Sequence, residues 1–282
     1  MSDWQYVPGD GILRPHTIRC RRGVLERFWT WMEARDLGPD DLEIRLLERW
    51  VQGRLREISA ASIVTESRAV RAWLKRERKD LADRWRDEMV LPRFTSAEPR
   101  ALTEDEDARV MVAVRAHPGF ILVALCRYAG LRIDEAMTLL RDSITRVEGR
   151  GIIRVQPVPE IGWEPKGHKI RDVPIMEKLG VALREEEDRH DCIWVAARCH
   201  HGEWGRWRKR PWRLAGLIQE AADLPKGMAF HCLRRTFATR LREKDVPLEV
   251  IQRIIGHVDI NTTRNYIDST RLGEVDFIEL AG

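Results

Sequence analysis

The residues that could carry chemistry lie mostly in the second half of the sequence. Arg132 follows a glycine, His231 and Arg234 stand three positions apart, and His257 follows another glycine nine residues before Tyr266. Tyrosine is scarce, with only three in 282 residues, so a tyrosine among threonines and asparagines stands out. Because side chains three apart on a helix share a face, we expect His231 and Arg234 to act together.

This set of side chains suits phosphodiester chemistry. Two arginines can grip the non-bridging oxygens and offset the extra negative charge of a pentacoordinate transition state. A tyrosine hydroxyl becomes a nucleophile when a base or a positive field eases its deprotonation. Histidines can move protons near neutral pH, and a lysine in a cationic site can protonate the leaving oxygen. No carboxylate cluster in the sequence suits a Mg²⁺ pair, so we expect chemistry without a metal.

Four sequence blocks in this region resemble, in type and order, those of the tyrosine recombinases, the family that includes phage integrases and Xer-type resolvases. The blocks are residues 130–135 (GLRIDE), 166–174 (KGHKIRDVP), 231–239 (HCLRRTFAT) and 256–266 (GHVDINTTRNY). The resemblance covers roughly residues 100–272, whereas the N-terminal region matches the family's core-binding domain only in size, helicity and position.

The resemblance implies a role for each matched position. Tyr266 would attack the scissile phosphate, form a 3′-phosphotyrosine link and free a 5′ hydroxyl. Arg132 and Arg234 would clamp the phosphate, His231 would act in general acid/base work, and His257 would hydrogen-bond the phosphate. Because the energy stays in the phosphotyrosine bond, neither ATP nor a metal would be needed.

The resemblance leaves two assignments open. Lys166 is the expected acid for the leaving oxygen, but Lys169 is a rival because the same loop carries both lysines. Glu135, or Asp134 beside it, would support the architecture around Arg132. Arg235 stands where many relatives carry histidine, at a position outside the chemistry.

Two further patterns are less specific. A basic and tryptophan-rich run suits a nucleic-acid surface, although it would equally fit a solvated loop whose tryptophans anchor the core. Its candidate DNA-binding residues are Arg206, Trp207, Arg208, Lys209, Arg210 and Arg213. Histidines and cysteines between His190 and His201 could supply zinc ligands, but no C-x₂-C pair is present and we expect no metal site.

Apolar periodicity in the first ninety residues predicts three or four amphipathic helices. The first covers about residues 17–36, Asp40 or Asp41 is expected to cap the second, and the fourth covers about residues 81–90. Their apolar faces contain Leu25, Phe28, Trp29, Met32, Leu46, Leu47, Trp50, Val51, Ile63, Val70, Trp73 and Leu74. We therefore expect a helical core-binding domain at 1–92, a proline-containing linker at 93–102, and a catalytic domain at 103–282.

The catalytic domain should be mainly α with a small antiparallel β-sheet. Thr103 and Glu106 form a capping box, the helix they open should stop near His117, and residues 120–128 form a buried helix ended by Gly130. Residues 152–155 and 170–175 read as a strand and its return. Further helices are expected to start at Pro211 (as the first helical residue), His231, Pro247 and Asn261.

Composition limits the class of protein and its partners. The chain is 43% hydrophobic and 33% charged, which excludes a disordered or fibrous protein, and its longest apolar run, residues 120–126, is too short to span a bilayer. Only eight of its 49 basic residues are lysines. Arginine suits bidentate phosphate contact, although codon bias explains the excess equally well. With no signal-peptide core, we expect a cytoplasmic, nucleoid-associated protein without a membrane partner.

The expected function is site-specific recombination of double-stranded DNA with inverted half-sites, by a homotetramer acting on two sites. Integration, excision and resolution are all compatible with the sequence, and an accessory DNA-bending or directionality protein is a possible partner. Two alternatives remain open at this point: a catalytically silent DNA-binding protein of the same fold, and a type IB topoisomerase-like nicking-closing enzyme.

Overall fold

The computed structural model describes residues 15–93, 100–147, 150–167, 170–189, 192–200, 203–206 and 211–256. The chain is divided into two compact units, Met1–Ser96 and Ala97–Gly282. Among the described residues, no helix combines the length and apolarity that crossing a membrane requires.

The described part of the first unit is helical. Its helices are α1 (Pro15–Glu33), α2 (Ile44–Leu55), α3 (Ala60–Glu77) and α4 (Lys79–Glu88). All twelve apolar residues predicted to face the core are buried, and Phe28, Trp50 and Ile63 are fully enclosed. Edge-to-face contacts join Phe28 to Trp50 at 5.3 Å and Trp29 to Trp73 at 5.1 Å between ring centroids. The amphipathic pattern therefore located this core correctly, since a helix with one apolar stripe must bury that stripe.

A buried carboxylate ties three of these helices together. Glu66 of α3 accepts hydrogen bonds from Arg27 of α1 at 2.6 Å and from Arg54 of α2 at 3.0 Å. Burial raises the pKa of Glu66, but the hydrogen bonds and charges of Arg54 and Arg27 lower it by more. The net effect is a pKa below the usual value for glutamate.

The predicted cap of the second helix is wrong. Asp40 and Asp41 belong to a separate 3₁₀ turn, Pro39–Asp41, and the Asp41 carboxylate accepts a hydrogen bond from the Gly38 backbone N–H at 2.7 Å. Helix α2 starts only at Ile44, after Glu43, and has no side-chain cap. The Asp41 carboxylate binds the backbone of the preceding turn instead. Aspartate side chains can bind nearby backbone N–H groups in a turn as well as at a helix start, and here the turn is formed.

The second unit is mainly α with small antiparallel sheets. Its described elements, in chain order, are α5 (Glu104–Val114), α6 (Phe120–Tyr128), α7 (Ile133–Met137), β1 (Ile144–Val147), β2 (Arg150–Val155), β3 (Arg171–Pro174), α8 (Glu177–Glu187), β4 (Ala197–His200), β5 (Glu203–Arg206), α9 (Trp212–Ala221), α10 (Ala229–Arg242) and α11 (Leu248–Ile255).

Helix α6 is the centre of this unit, and its residues from Phe120 to Arg127 are all buried. It packs against α7, α8 and α10. Gly130 then turns the chain with φ of +61°, and a Cβ at this position would lie 2.4 Å from the ring of Phe237. Both the left-handed conformation and the close approach of α10 require glycine at this position. As a result, the loop before Arg132 lies against α10.

Strands β1, β2 and β3 form a three-stranded antiparallel sheet in chain order. The predicted strand and its return are confirmed as β2 and β3, with Ile153 opposite Val173. Strand β1, which pairs Ile144 with Ile153, was not expected. Strands β4 and β5 form a separate hairpin.

Several boundaries differ from expectation by a few residues. Leu102, which the sequence places in the linker, is buried in the core of the second unit, and its backbone N–H donates to Thr236 Oγ1 at 2.8 Å. Helix α5 has the predicted Thr103–Glu106 capping box but ends at Val114 rather than near His117.

The later helix starts differ by one or two residues. Pro211 and Pro247 precede α9 and α11 as N-cap residues, and α10 starts at Ala229, two residues before His231. Here the Met228 carbonyl already accepts the helical hydrogen bond from Cys232. The helix start predicted at Asn261 lies outside the described residues.

Candidate functional site

Glu135 on α7 fixes both the backbone and the side chain of Arg132. Its Oε2 accepts the Arg132 backbone N–H at 2.8 Å, and its Oε1 accepts from the Arg132 guanidinium at 2.9 Å. The Glu135 side chain is 2% exposed and that of Arg132 is 23% exposed. Glu135 therefore supports Arg132 directly, while Asp134 beside it is exposed.

A second arginine, which sequence reasoning did not single out, binds the same carboxylate. Arg171, the first residue of β3, donates to Glu135 Oε1 at 3.1 Å and to Oε2 at 2.6 Å. Residues alternate across a strand, so Arg171 shares the buried face with Val173. Two signals were available: its place in the block 166–174, and a charged residue on the inward face of a short strand.

Arg234 completes the cluster from α10. Its guanidinium lies 3.8 Å from Glu135 Oε2 and donates to the carbonyl oxygens of Gly130 and Ile255. The Arg234 side chain is 2% exposed, so of the two expected phosphate-binding arginines Arg132 is the more accessible. Three arginines from three separate sequence blocks thus surround one carboxylate.

The electrostatics of this cluster favour an anion. Burial raises the pKa of Glu135, but hydrogen bonds from Arg171 and the charges of Arg171, Arg234 and Arg132 lower it to about 2. Glu135 is therefore ionised at neutral pH, and the four groups carry a net charge of about +2, since arginine is always protonated. Such a positive, partly buried site can bind a phosphate and stabilise added negative charge.

The end of α11 closes against the same arginines. Gly256 caps α11 with φ of +69°, and a Cβ there would lie 2.9 Å from Arg171 Cδ. Its carbonyl oxygen lies 3.4 Å from Arg132 Nη2, and the Ile254 carbonyl accepts from Arg171 Nε at 2.8 Å. The sequence block that begins at Gly256 therefore starts next to the arginine cluster.

The remaining expected catalytic residues are placed only in part. His231 is exposed on the first turn of α10, three residues before Arg234. Lys166 is exposed on the turn between β2 and β3, and among the described residues no hydrogen bond or ion pair joins it to Glu135. His257, Tyr266 and Lys169 lie outside the described residues.

Most of the basic, tryptophan-rich run also lies outside them. Trp207, Arg208, Lys209 and Arg210 are not described, and Arg206 is described only as a backbone position of β5. Arg213, at the start of α9, lies with its guanidinium 5.2 Å from the ring centroid of Trp212, which is 74% exposed.

In the part of the chain that the structure describes, no group of three histidine, cysteine or acidic side chains is arranged to hold a metal ion. His190 and His201, two of the weak zinc candidates, lie outside that part.

Comparison with known proteins gives a consistent family. Residues 100–272 match the model of the phage integrase family. Tyrosine recombinase XerD of Ralstonia nicotianae is 29% identical over 283 residues, covering 93% of this chain and 86% of the relative. Tyrosine recombinase XerD of Halalkalibacterium halodurans is 27% identical over 259 residues, covering 86% of this chain and 81% of the relative.

Solved structures show the same fold. The Tn1549 transposon integrase in complex with circular intermediate DNA superimposes with a TM-score of 0.68 at 18% identity, covering 92% of this chain and 91% of that chain. With the family model matching more than half of the sequence, this chain belongs to the phage integrase family and is a tyrosine recombinase.

Proposed function

We propose that this site-specific DNA recombinase uses Tyr266 as its nucleophile and binds the scissile phosphate with Arg132 and Arg234 of the arginine cluster around Glu135. The observation that carries the proposal is the convergence of Arg132, Arg171 and Arg234 on one buried carboxylate. A cluster with a surplus of fixed positive charge complements a phosphodiester that gains negative charge in its transition state.

The reaction conserves the number of phosphoester bonds. The Tyr266 oxygen attacks phosphorus, the bond from phosphorus to the 5′ oxygen breaks, and a 3′-phosphotyrosine forms. Lys166, or Lys169 in its place, gives a proton to the departing 5′ oxygen. A 5′ hydroxyl from a partner strand then attacks the phosphotyrosine and releases Tyr266, so rejoining requires no external energy source.

The other residues assist this exchange. Arg132 and Arg234 hold the non-bridging oxygens, with Arg132 as the more exposed of the two. His231 moves protons during attack and release, and His257 hydrogen-bonds the phosphate. The position of Gly256 beside Arg132 supports this role for His257, which follows it directly.

Duplex DNA is the partner that fits this chemistry. The relative from the Tn1549 transposon was solved in complex with circular intermediate DNA. We propose that this chain binds inverted half-sites as a homotetramer on two DNA sites, with the helical unit Met1–Ser96 and the second unit both contacting the duplex. An accessory DNA-bending or directionality protein and a nucleoid-associated location would accompany this role.

A covalent-trapping experiment tests the proposal. The protein is incubated in EDTA, without ATP, with a pool of nicked duplexes of random sequence, and SDS-resistant protein–DNA adducts are quantified. Wild type is expected to form an adduct whose sequenced DNA reveals the half-site. Tyr266→Phe should bind DNA and form none, whereas the matched control Tyr128→Phe, on α6, should behave as wild type.

The same experiment separates the alternatives when it is accompanied by relaxation of a supercoiled plasmid and by exchange between two copies of the recovered site. DNA binding without any wild-type adduct would favour the catalytically silent binding protein and overturn the proposed nucleophile. Adducts at unrelated sequences, with relaxation of supercoiled DNA by a monomer, would indicate the topoisomerase-like enzyme. Adducts at one half-site, followed by exchange between two such sites, are the expected result.

A further inference from the structure

Arg171 takes no part in the proposed chemistry, yet its side chain contacts two elements of the site, α7 through Glu135 and α11 through Ile254. Its side chain is 5% exposed, and its Nε and both terminal nitrogens already donate to protein acceptors. It is the first residue of β3 and is separated from Glu135 by 36 positions and from Ile254 by 83. A buried charge of this kind is costly unless several good contacts compensate for it.

Those contacts use the arginine fork in two directions. The two terminal nitrogens of Arg171 bind both oxygens of Glu135, while its Nε donates to the Ile254 carbonyl at the end of α11. Gly256 lies against the same side chain, since a Cβ there would come within 2.9 Å of Arg171 Cδ. One side chain therefore joins α7, β3 and the end of α11.

Each of these elements leads to a residue of the proposed reaction. The Glu135 carboxylate holds Arg132 by two hydrogen bonds, and β3 follows the turn that carries Lys166. The end of α11 precedes His257 directly. With Arg132 and Arg171 bound, the Glu135 carboxylate accepts four hydrogen bonds, which uses its full acceptor capacity and leaves it a single orientation.

We infer that Arg171 is a positioning residue for strand cleavage: it holds the Glu135 carboxylate in the orientation that presents Arg132, and it ties β3 to the end of α11. This inference rests on the proposed function. Arg171 acts through Glu135 and the Ile254 carbonyl and touches neither DNA nor the nucleophile. A lysine cannot replace it, because a single ammonium lacks the planar fork that reaches both carboxylate oxygens and a third acceptor.

A purely structural role would also make Arg171 important, so the test needs a matched control. Arg127 of α6 binds Asp107 of α5 through two hydrogen bonds of 2.7 Å, with side chains 10% and 18% exposed. This bidentate pair lies in the same unit and does not involve Glu135. Arg127→Met should lower stability without slowing cleavage, whereas Arg171→Met should do both.

The first measurement separates binding from chemistry. Dissociation constants and single-turnover adduct-formation rates are measured at saturating protein on a nicked duplex containing the half-site recovered from the random pool. Arg171→Met is expected to slow adduct formation by about 100-fold, the effect of misplacing a catalytic group by about an ångström. Its DNA affinity should change by less than about threefold, because phosphate contacts elsewhere dominate binding. Arg171→Lys should lie between Arg171→Met and wild type.

The pH dependence of cleavage provides a second readout. Glu135 faces Arg132 at its own helix start, Arg171 of β3, Arg234 of α10 and the Cys126 thiol of α6. Without Arg171, burial is opposed by fewer hydrogen bonds and the pKa of Glu135 rises. As the pH is lowered from 7.5 to 5.5, Glu135 should become protonated in Arg171→Met but not in wild type. The ratio of the Arg171→Met cleavage rate to the wild-type rate should therefore decrease, whereas the same ratio for Arg127→Met stays constant.

Double substitution decides the matter if Arg171→Met does not fold. Arg171→Met combined with Glu135→Gln leaves no buried carboxylate short of a partner. Its cleavage rate should lie only slightly below that of Glu135→Gln alone, because the action through Glu135 is already lost and only the Ile254 contact remains to be removed. A much slower double variant, or an Arg171→Met rate equal to that of Arg127→Met, would overturn the inference. Absence of any wild-type adduct would instead overturn the proposed function itself.

Discussion

Replacing Glu135 by glutamine should remove a large electrostatic contribution to the stability of the second unit. The substitution keeps the size of the side chain but removes the charge that three arginines share. It also turns one oxygen acceptor into an N–H₂ donor that faces the guanidinium groups of Arg132 and Arg171. We therefore expect a loss of stability together with a loss of cleavage.

The magnitude follows from the pKa of Glu135. A carboxyl whose pKa falls from 4.5 to about 2 on folding contributes about 3 kcal/mol to the free energy of unfolding at neutral pH. Removing one partner of a buried ion pair costs a similar ~3–5 kcal/mol. For a unit of this size, a loss of 3 kcal/mol corresponds to a Tm decrease of about 6–12 °C.

The sign of the pH dependence is fixed by the same value. Because the folded pKa of Glu135 is lowered, its contribution is complete above pH 4.5 and is lost as the pH falls toward about 2. The difference in stability between wild type and Glu135→Gln should therefore be largest at pH 5–7 and shrink toward pH 3. Other carboxylates titrate in both proteins and cancel in the difference.

Urea denaturation at a series of pH values, combined with hydrogen exchange of α6 and α10 amides, measures this difference in the second unit. The control is Asp172→Asn, whose carboxylate pairs with Arg154 while both side chains are about half exposed; it should cost less than about 1 kcal/mol. Glu135 does not make this contribution if Glu135→Gln is as stable as Asp172→Asn, or if the difference between wild type and Glu135→Gln is unchanged at pH 3.

Three smaller predictions follow from single contacts. Gly256→Ala introduces a Cβ at φ of +69°, 2.9 Å from Arg171 Cδ. It should lower the free energy of unfolding in urea by about 1–3 kcal/mol and slow adduct formation. An unaffected rate would contradict the close approach of Gly256 to Arg171. Thr103→Ala removes the hydroxyl that accepts the Glu106 N–H and should lower stability by about 1 kcal/mol, whereas an unchanged urea midpoint would argue against the cap. Glu66→Gln should destabilise the first unit at neutral pH, and the variant should lose less stability than wild type below about pH 4.5, because the folded pKa of Glu66 is lowered. Hydrogen exchange of the α3 amides measures this acid transition, and an unchanged transition would contradict the prediction.

Elements with strong local signals were predictable from the sequence. Helix α6 is apolar on most sides, so only a buried helix fits it, and Gly130 is required by its positive φ. The Thr103–Glu106 capping box also formed as predicted, since both partners lie within one turn. The importance of Glu135 came from its place in a family block rather than from any local pattern.

Features set by distant contacts were not predictable. Arg171 is defined by Glu135 and Ile254, both far from it in sequence. Its place in the block 166–174 and its inward register in β3 marked the position but did not indicate these contacts. Strand β1 is only four residues long and becomes a strand by pairing with β2. Asp41 could bind either the turn at Gly38 or the start of α2, and in the structure it accepts the Gly38 N–H.

Locating the covalent link to DNA within the protein would show whether Tyr266 is the nucleophile. Adducts trapped on the nicked half-site are digested with nuclease and trypsin and analysed by mass spectrometry. We expect a nucleotide attached to the tryptic peptide 265–271, which contains Tyr266. A nucleotide attached to a peptide containing Tyr6 or Tyr128, or to a residue other than tyrosine, would contradict this expectation.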